Sequence, residues 1–235
     1  MWIKICGITS LEDAQLAVLA GADAIGFILA PSPRRITPQA IRKITKELPS
    51  SIEKIGVFVD APIEEILVVC ETAGLTGVQL HGESSADDAA NLRARLKKHR
   101  MRVVEVVHYP GDSTVFARHL RALCSQTAAD PDRSAVLVDT AIVGKLGGTG
   151  VPFDWQSAQG SFLQHSAPLR LVAAGGLHPK NVRQAIQMLR PWGVDVSSGV
   201  EAAPGRKDHA RLTEFIRAAR AAAMEFSEIG QPLER

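Results

Sequence analysis

A single (β/α)8 TIM barrel is the fold that this 235-residue sequence predicts, and three observations predict it. Eight short, apolar, β-branched runs are spread along the chain. Their starts lie roughly 20 to 35 residues apart, the size of one βα unit. Most are apolar throughout rather than alternating, as parallel strands buried on both faces are. Eight such units filling the chain end to end favour a closed barrel over an open sheet. The barrel is placed at residues 1–223, followed by a loosely ordered C-terminal tail at 224–235, where helical periodicity fades.

Taken in order, the strands are expected at residues 2–6, 24–29, 54–59, 77–80, 102–107, 135–138, 169–173 and 194–197. Between the first two, Thr9-Ser10-Leu11-Glu12 reads as a capping box that starts a helix, with Leu11, Ala14 and Val18 on its apolar face and Gly21 at its end. Thr37-Pro38 starts the second helix, an N-cap followed by proline in the first turn. Residues 125–133 are polar and turn-rich, a surface connection before the sixth strand. Pro179-Lys180-Asn181-Val182 opens the seventh helix. The eighth is expected from about Asp208 to Ala223, burying Leu212, Phe215 and Ile216. No interdomain linker interrupts the pattern.

Composition narrows the function. Apolar residues make up 46% and charged residues 22%, enough for a sizeable core, and the net charge is only +2. There is no long basic or acidic run and a single tyrosine, which argues against nucleic acid as a partner. No apolar run approaches the roughly 20 residues of a membrane span, and the first residues lack the pattern of a signal peptide. Cys6, Cys70 and Cys124 are an odd, sparse set without metal-ligand spacing. A cytoplasmic protein without a metal is expected.

Two runs in the last third end in small residues: Leu171-Val172-Ala173-Ala174-Gly175-Gly176 and Val194-Asp195-Val196-Ser197-Ser198-Gly199. Loops after neighbouring strands that are built from Gly and Ser let backbone N–H groups approach an anion. In barrels of this class the phosphate site commonly follows the seventh and eighth strands. A phosphorylated small molecule is therefore the expected partner, held by Gly175, Gly176, Ser198 and Gly199. Catalytic groups in such barrels stand at strand C-termini, and there Cys6 and Asp139 are the proton-transfer candidates. The thiol must ionise to act as a base, which cationic neighbours favour; the carboxyl must keep its proton to act as an acid, which burial favours. His81, after the fourth strand, is read as lining the site, and Gln79 as lying inside the barrel. Asp60 and His108 are read as solvated loop residues, Asp195 as a buried polar contact below the phosphate, and Glu201 as a helix-start charge. Cys70 and Cys124 fall in helical stretches.

Several ordered motifs resemble one family. They include Lys4-Ile5-Cys6-Gly7-Ile8-Thr9, Ser32-Pro33-Arg34-Arg35-Ile36, Val78-Gln79-Leu80-His81-Gly82, Val138-Asp139-Thr140 and Gly147-Gly148-Thr149-Gly150. The series continues through Gly175-Gly176-Leu177 and Asp195-Val196-Ser197-Ser198-Gly199-Val200-Glu201. Together they are similar to phosphoribosylanthranilate isomerases of tryptophan biosynthesis, from about residue 3 to residue 220. That resemblance implies an Amadori rearrangement without metal or organic cofactor, with Asp139 as general acid and Cys6 as general base. It further implies that Arg34 pairs with the anthranilate carboxylate, the neighbouring Arg35 being the alternative. The loop containing Gly148 would close over the substrate. The rival activities are the histidine-pathway isomerase of an aminoimidazole, which would carry an acidic residue where this chain has Cys6, and a non-catalytic phosphoribosyl-ligand barrel. Monomer and homodimer remain equally open.

Overall fold

In the computed structural model, which describes residues 1–81, 92–96, 98–127, 133–140, 152–165 and 169–229, eight parallel strands close into a barrel in sequence order. The strands are β1 (Trp2–Ile5), β2 (Ala24–Ile28), β3 (Glu53–Val59), β4 (Gly77–His81), β5 (Arg102–Tyr109), β6 (Ser134–Thr140), β7 (Leu171–Ala173) and β8 (Gly193–Val196). β1 pairs with both β2 and β8, which closes the ring and sets Lys4 directly opposite Asp195. The connecting helices are α1 (Leu11–Leu19), α2 (Pro38–Thr45), α3 (Ile63–Ala73), α4 (92–96), α5 (Ser113–Thr127), α6 (Trp155–His165), α7 (Val182–Leu189) and α8 (His209–Ile229).

The side-chain period of two explains how one strand serves two cores. In β1, Ile3 and Ile5 point outward into the layer between sheet and helices, whereas Trp2 belongs to a separate cluster inside the barrel with Ala24, Ile55, Val104, Ala135 and Val172. The N-terminal end of the barrel is plugged by the indoles of Trp2 and Trp192, stacked with centroids 5.2 Å apart. The Arg102 guanidinium lies over both rings and is held by Glu53 at 2.6 Å. The barrel is thus solid at one end, and its polar interior begins one step further toward the C-terminal mouth.

Helix starts follow the local chemistry with one shift. Ser10, not Thr9, caps α1, accepting from the Asp13 amide at 3.2 Å, while the Thr9 hydroxyl donates to the Gly205 carbonyl. Thr37 caps α2 with Pro38 in its first turn, as expected. α5 runs on to Thr127, into the stretch read as a surface connection. α8 continues past Met224 to Ile229, burying Leu212, Phe215 and Ile216. No helix among the described residues is long and apolar enough to cross a membrane.

Candidate active site

Because strand neighbours alternate, residues 2, 4 and 6 share the inner face of β1. The mouth is therefore built on Lys4 and Cys6. Lys4 is fully buried, and its ammonium donates to Asp195 Oδ1 at 2.8 Å and to Gln79 Oε1 at 2.7 Å. Burial pushes the Lys4 ammonium down, but Asp195 and the Cys6 thiol more than offset it, so its pKa stands above the ordinary lysine value. Burial pushes the Cys6 thiol up, with Lys4 and Lys207 pulling it down and Asp195 pushing it up. The cationic neighbours that a thiolate needs are present, yet desolvation outweighs them.

Asp139 occupies the inner face at the end of β6, buried, and accepts from the Thr140 amide at 2.7 Å. Burial raises its carboxyl above the usual carboxylate range against that hydrogen bond; Asp195 raises it further, and His108 and Lys4 oppose. The shift is in the direction that an acid retaining its proton requires.

The hydrogen bonds also fix the state of His81. Gln79 Oε1 accepts from Lys4, so its Nε2 faces His81 Nε2 at 2.9 Å and donates to it. The His81 proton therefore sits on Nδ1. Burial, then His108 and Lys4, push its pKa down to about 4, so the ring is neutral. His108 is not a solvated loop residue: it lies on β5 with its ring 6.1 Å from that of His81 and its Nδ1 buried. Asp60, at φ 48°, is exposed as expected.

Arg34 is held in the turn after β2, its amide donating to Ser32 Oγ at 3.1 Å. Its guanidinium binds Glu201 through Nε (2.9 Å to Oε1) and Nη2 (2.7 Å to Oε2), which leaves Nη1 uncommitted among the described residues. Arg35 is exposed. Glu201 begins a short strand, β9 (Glu201–Ala203), paired with β10 (Arg206–Lys207); it is no helix-start charge. Its Oε1 also accepts from Lys207 Nζ at 3.0 Å, and Lys207 donates to the Cys6 carbonyl at 2.6 Å. Burial pushes the Glu201 carboxyl up, but Arg34 and Lys207 hold it below its ordinary value.

The loops after β7 and β8 meet. A Cβ on Gly199 would stand 1.9 Å from the Leu177 carbonyl oxygen, so only glycine permits that approach. Gly175 and Gly176 take φ of 76° and 61°. Among the described residues, the backbone N–H groups of Gly175, Gly176, Ser198 and Gly199 donate to no protein acceptor. Such a row of open donors suits an anion. Asn181 ties the first loop, donating to the Gly176 carbonyl at 2.9 Å and accepting from the His178 amide at 2.7 Å. Gly148 lies outside the described residues. Cys70 is buried in α3, its thiol pushed up by burial to about 12, and Cys124 lies half-buried in α5. Among the described residues, no three His, Cys, Asp or Glu side chains converge as metal ligands would.

Sequence reasoning missed Lys4, Lys207 and the role of Glu201. For Lys4 a signal existed: a lysine inside an apolar strand, two residues before Cys6, has to share the cysteine's face. The Arg34–Glu201 pair, 167 residues apart, leaves no such local trace.

A buried carboxyl and a buried thiol at strand ends, beside open glycine-loop donors at the mouth of a (β/α)8 barrel, fit the class of phosphosugar-converting barrel enzymes. The family model of N-(5'-phosphoribosyl)anthranilate (PRA) isomerase matches residues 3–218. The N-(5'-phosphoribosyl)anthranilate isomerase of Pelobacter propionicus is 42% identical over 219 residues, covering 93% of this chain and 95% of its own. The Thermotoga neapolitana protein of the same name is 39% identical, covering 93% and 98%. The crystal structure of the Thermotoga maritima enzyme superposes with a TM-score of 0.77 at 39% identity over 94% of this chain and 99% of that one. A phosphoribosyl anthranilate isomerase crystallised with reduced 1-(o-carboxyphenylamino)-1-deoxyribulose 5-phosphate gives 0.75 at 38% identity, with the same coverage. The chain belongs to the N-(5'-phosphoribosyl)anthranilate isomerase family, and its activity is that isomerisation, a step of tryptophan biosynthesis.

Proposed function

We propose that Asp139 is the general acid and Cys6 the general base of this isomerisation. The Asp139 proton passes to the furanose ring oxygen as the C1'–O bond breaks, and the anthranilate nitrogen supplies the electron pair that forms the imine. The Cys6 thiolate then removes the C2' proton. The electrons move into a C1'–C2' double bond, with the imine nitrogen as their sink, and the enolamine tautomerises to the ketone. Each turnover leaves Asp139 ionised and Cys6 protonated, so the pair must exchange its proton back, directly or through solvent. The soft thiolate suits a carbon-bound proton and the buried carboxyl suits an oxygen leaving group.

One observation carries the assignment: both groups end strands at one barrel mouth, and both feel the same buried Lys4–Asp195 pair. Arg34, with Nη1 uncommitted among the described residues, is assigned to the anthranilate carboxylate. The phosphate is assigned to the N–H groups of Gly175, Gly176, Ser198 and Gly199. His81 Nδ1–H is assigned as a neutral donor lining the site. Free cysteines and a phosphorylated substrate favour action in the cytoplasm.

The test is the decay of anthranilate-type fluorescence on adding protein to freshly generated N-(5'-phosphoribosyl)anthranilate in the presence of chelator. Cys6→Ser and Asp139→Asn are each expected to lower kcat by about 10²- to 10⁴-fold with little change in KM. Unimpaired turnover in either variant removes that residue from the assignment.

A further inference from the structure

A fully buried lysine next to a buried cysteine needs a reason, because an ammonium inside a barrel carries a large desolvation cost. Lys4 offers three N–H donors and no acceptor. Two are committed, to Asp195 Oδ1 across the β1–β8 ladder and to Gln79 Oε1 from β4. The Cys6 thiol, two residues on along the same face of β1, is close enough for its charge and that of Lys4 to act on one another. The backbone of β2 makes room for both side chains: a Cβ on Gly26 would stand 2.8 Å from Cys6 Sγ and 2.9 Å from Lys4 Cε. Lysine stem and cysteine sulfur therefore lie side by side over the same glycine, and toward an ammonium the sulfur can act only as acceptor.

We propose that Lys4 is a positioning residue of the isomerisation: clamped by Asp195 and Gln79, its ammonium holds the Cys6 sulfur in place and stabilises it as the thiolate that removes the substrate proton. The proposal rests on Cys6 being the base. The clamp matters because Asp195 alone would oppose ionisation of Cys6, and an unclamped lysine would leave the barrel for water. The other charged and titratable groups facing this centre are His81 from β4, His108 from β5, Asp139 from β6, Lys207 from β10, Glu201 from β9 and Arg34 from the turn after β2. Of the cations, Lys4 acts most strongly on the Cys6 thiol.

The experiment follows carboxamidomethylation of Cys6 by peptide mass spectrometry across a pH series, in the full-length protein and in Lys4→Met/Asp195→Asn. The double variant removes both charges, so no buried ion is left unpaired. Its alkylation midpoint is expected to move up by about one pH unit or more, and kcat at neutral pH to fall about tenfold or more, with KM within about twofold. An unmoved midpoint in folded protein overturns the proposal and makes Lys4 a structural residue. A moved midpoint with unchanged kcat overturns it through the base instead, and retained turnover in Cys6→Ser identifies that case. Should the double variant fail to fold, the NH3⁺ resonances of ¹⁵N-lysine-labelled protein serve. Cys6→Ser, which leaves Lys4 and Asp195 intact, is expected to shift the Lys4 signal; an unshifted signal overturns the proposal.

Discussion

Arg34 and Glu201 meet in a two-pronged ion pair, Nε to Oε1 at 2.9 Å and Nη2 to Oε2 at 2.7 Å, in which the carboxylate is almost wholly buried. Glu201 is in turn pinned by Lys207, which also grips the Cys6 carbonyl. The arginine assigned to the substrate carboxylate and the backbone of the assigned base are therefore parts of one charged framework.

That framework predicts a binding defect. Glu201→Gln leaves Arg34 charged but removes its charge-assisted partner, which is worth about 1.5–3 kcal/mol. KM is expected to rise about tenfold, with kcat within about threefold, in steady-state fluorescence assays. The variant should also unfold at lower temperature, because Lys207 is left buried without its counterion. Arg34→Lys should bind poorly too, since an ammonium cannot span both carboxylate oxygens. Arg35→Ala should leave KM within about twofold. A KM defect in Arg35→Ala and none in Arg34→Lys would exchange the two arginines.

The pH profile follows from the directions at Asp139 and Cys6. With Asp139 assigned as the acid and Cys6 as the base, turnover needs Asp139 protonated and Cys6 ionised. Desolvation raises both groups, against the Thr140 amide and Lys4 respectively. A form with one proton shared between them has a constant population between the two macroscopic values. It is lost below the lower value, where both are protonated, and above the higher, where both are ionised. A bell is expected for kcat/KM, its acid limb above the usual carboxylate range and its alkaline limb above the usual thiol range. An alkaline limb below ordinary thiol values would show that Lys4 and Lys207 outweigh burial.

The barrel was legible in the sequence because strands buried on both faces are written as continuous apolar runs, which depend little on distant context. The strand ends at Cys6 and Asp139 and the paired glycine loops were legible for the same reason: their positions follow from the strand period. Pairings were not. His108 looked like loop because the run of residues 102–107 stops short of it, yet its ladder with β6 carries β5 on to Tyr109. Glu201 needed the β9–β10 hairpin, which returns the chain over the mouth, and nothing local announces that contact. Lys4 stood in plain view but was absorbed into an apolar strand.

Stability and chemistry should separate at the two ends of the barrel. Trp2 is buried at the N-terminal plug, stacked on Trp192 under the Arg102 guanidinium. Trp2→Ala is expected to cost about 3–5 kcal/mol of stability, read in denaturant unfolding. The fraction that remains folded should keep its kcat and KM, because the mouth begins one layer above, at Lys4. A kcat loss in folded Trp2→Ala would mean that the plug positions the Lys4 layer.

Two glycines of the loops assigned to the phosphate should fail in different ways, which tests how those loops are coupled to Asp139. A Cβ on Gly199 strikes the neighbouring loop first, at the Leu177 carbonyl oxygen and at His178 Cβ. Gly199→Ala must push the two loops apart, so KM should rise about tenfold or more and competitive inhibition by inorganic phosphate should weaken in step, with kcat nearly kept. A Cβ on Gly175 would stand 2.3 Å from Thr140 Oγ1 and 2.7 Å from Asp139 Oδ1, at φ 76°, where alanine carries a further penalty of about 1–2 kcal/mol. Gly175→Ala should therefore displace Asp139, the assigned acid, as well as the amides assigned to the phosphate, lowering kcat about tenfold or more while also raising KM. If both variants change KM alone, the β7 loop acts only as a phosphate clamp, and the close packing of Gly175 on Asp139 has no part in placing the acid.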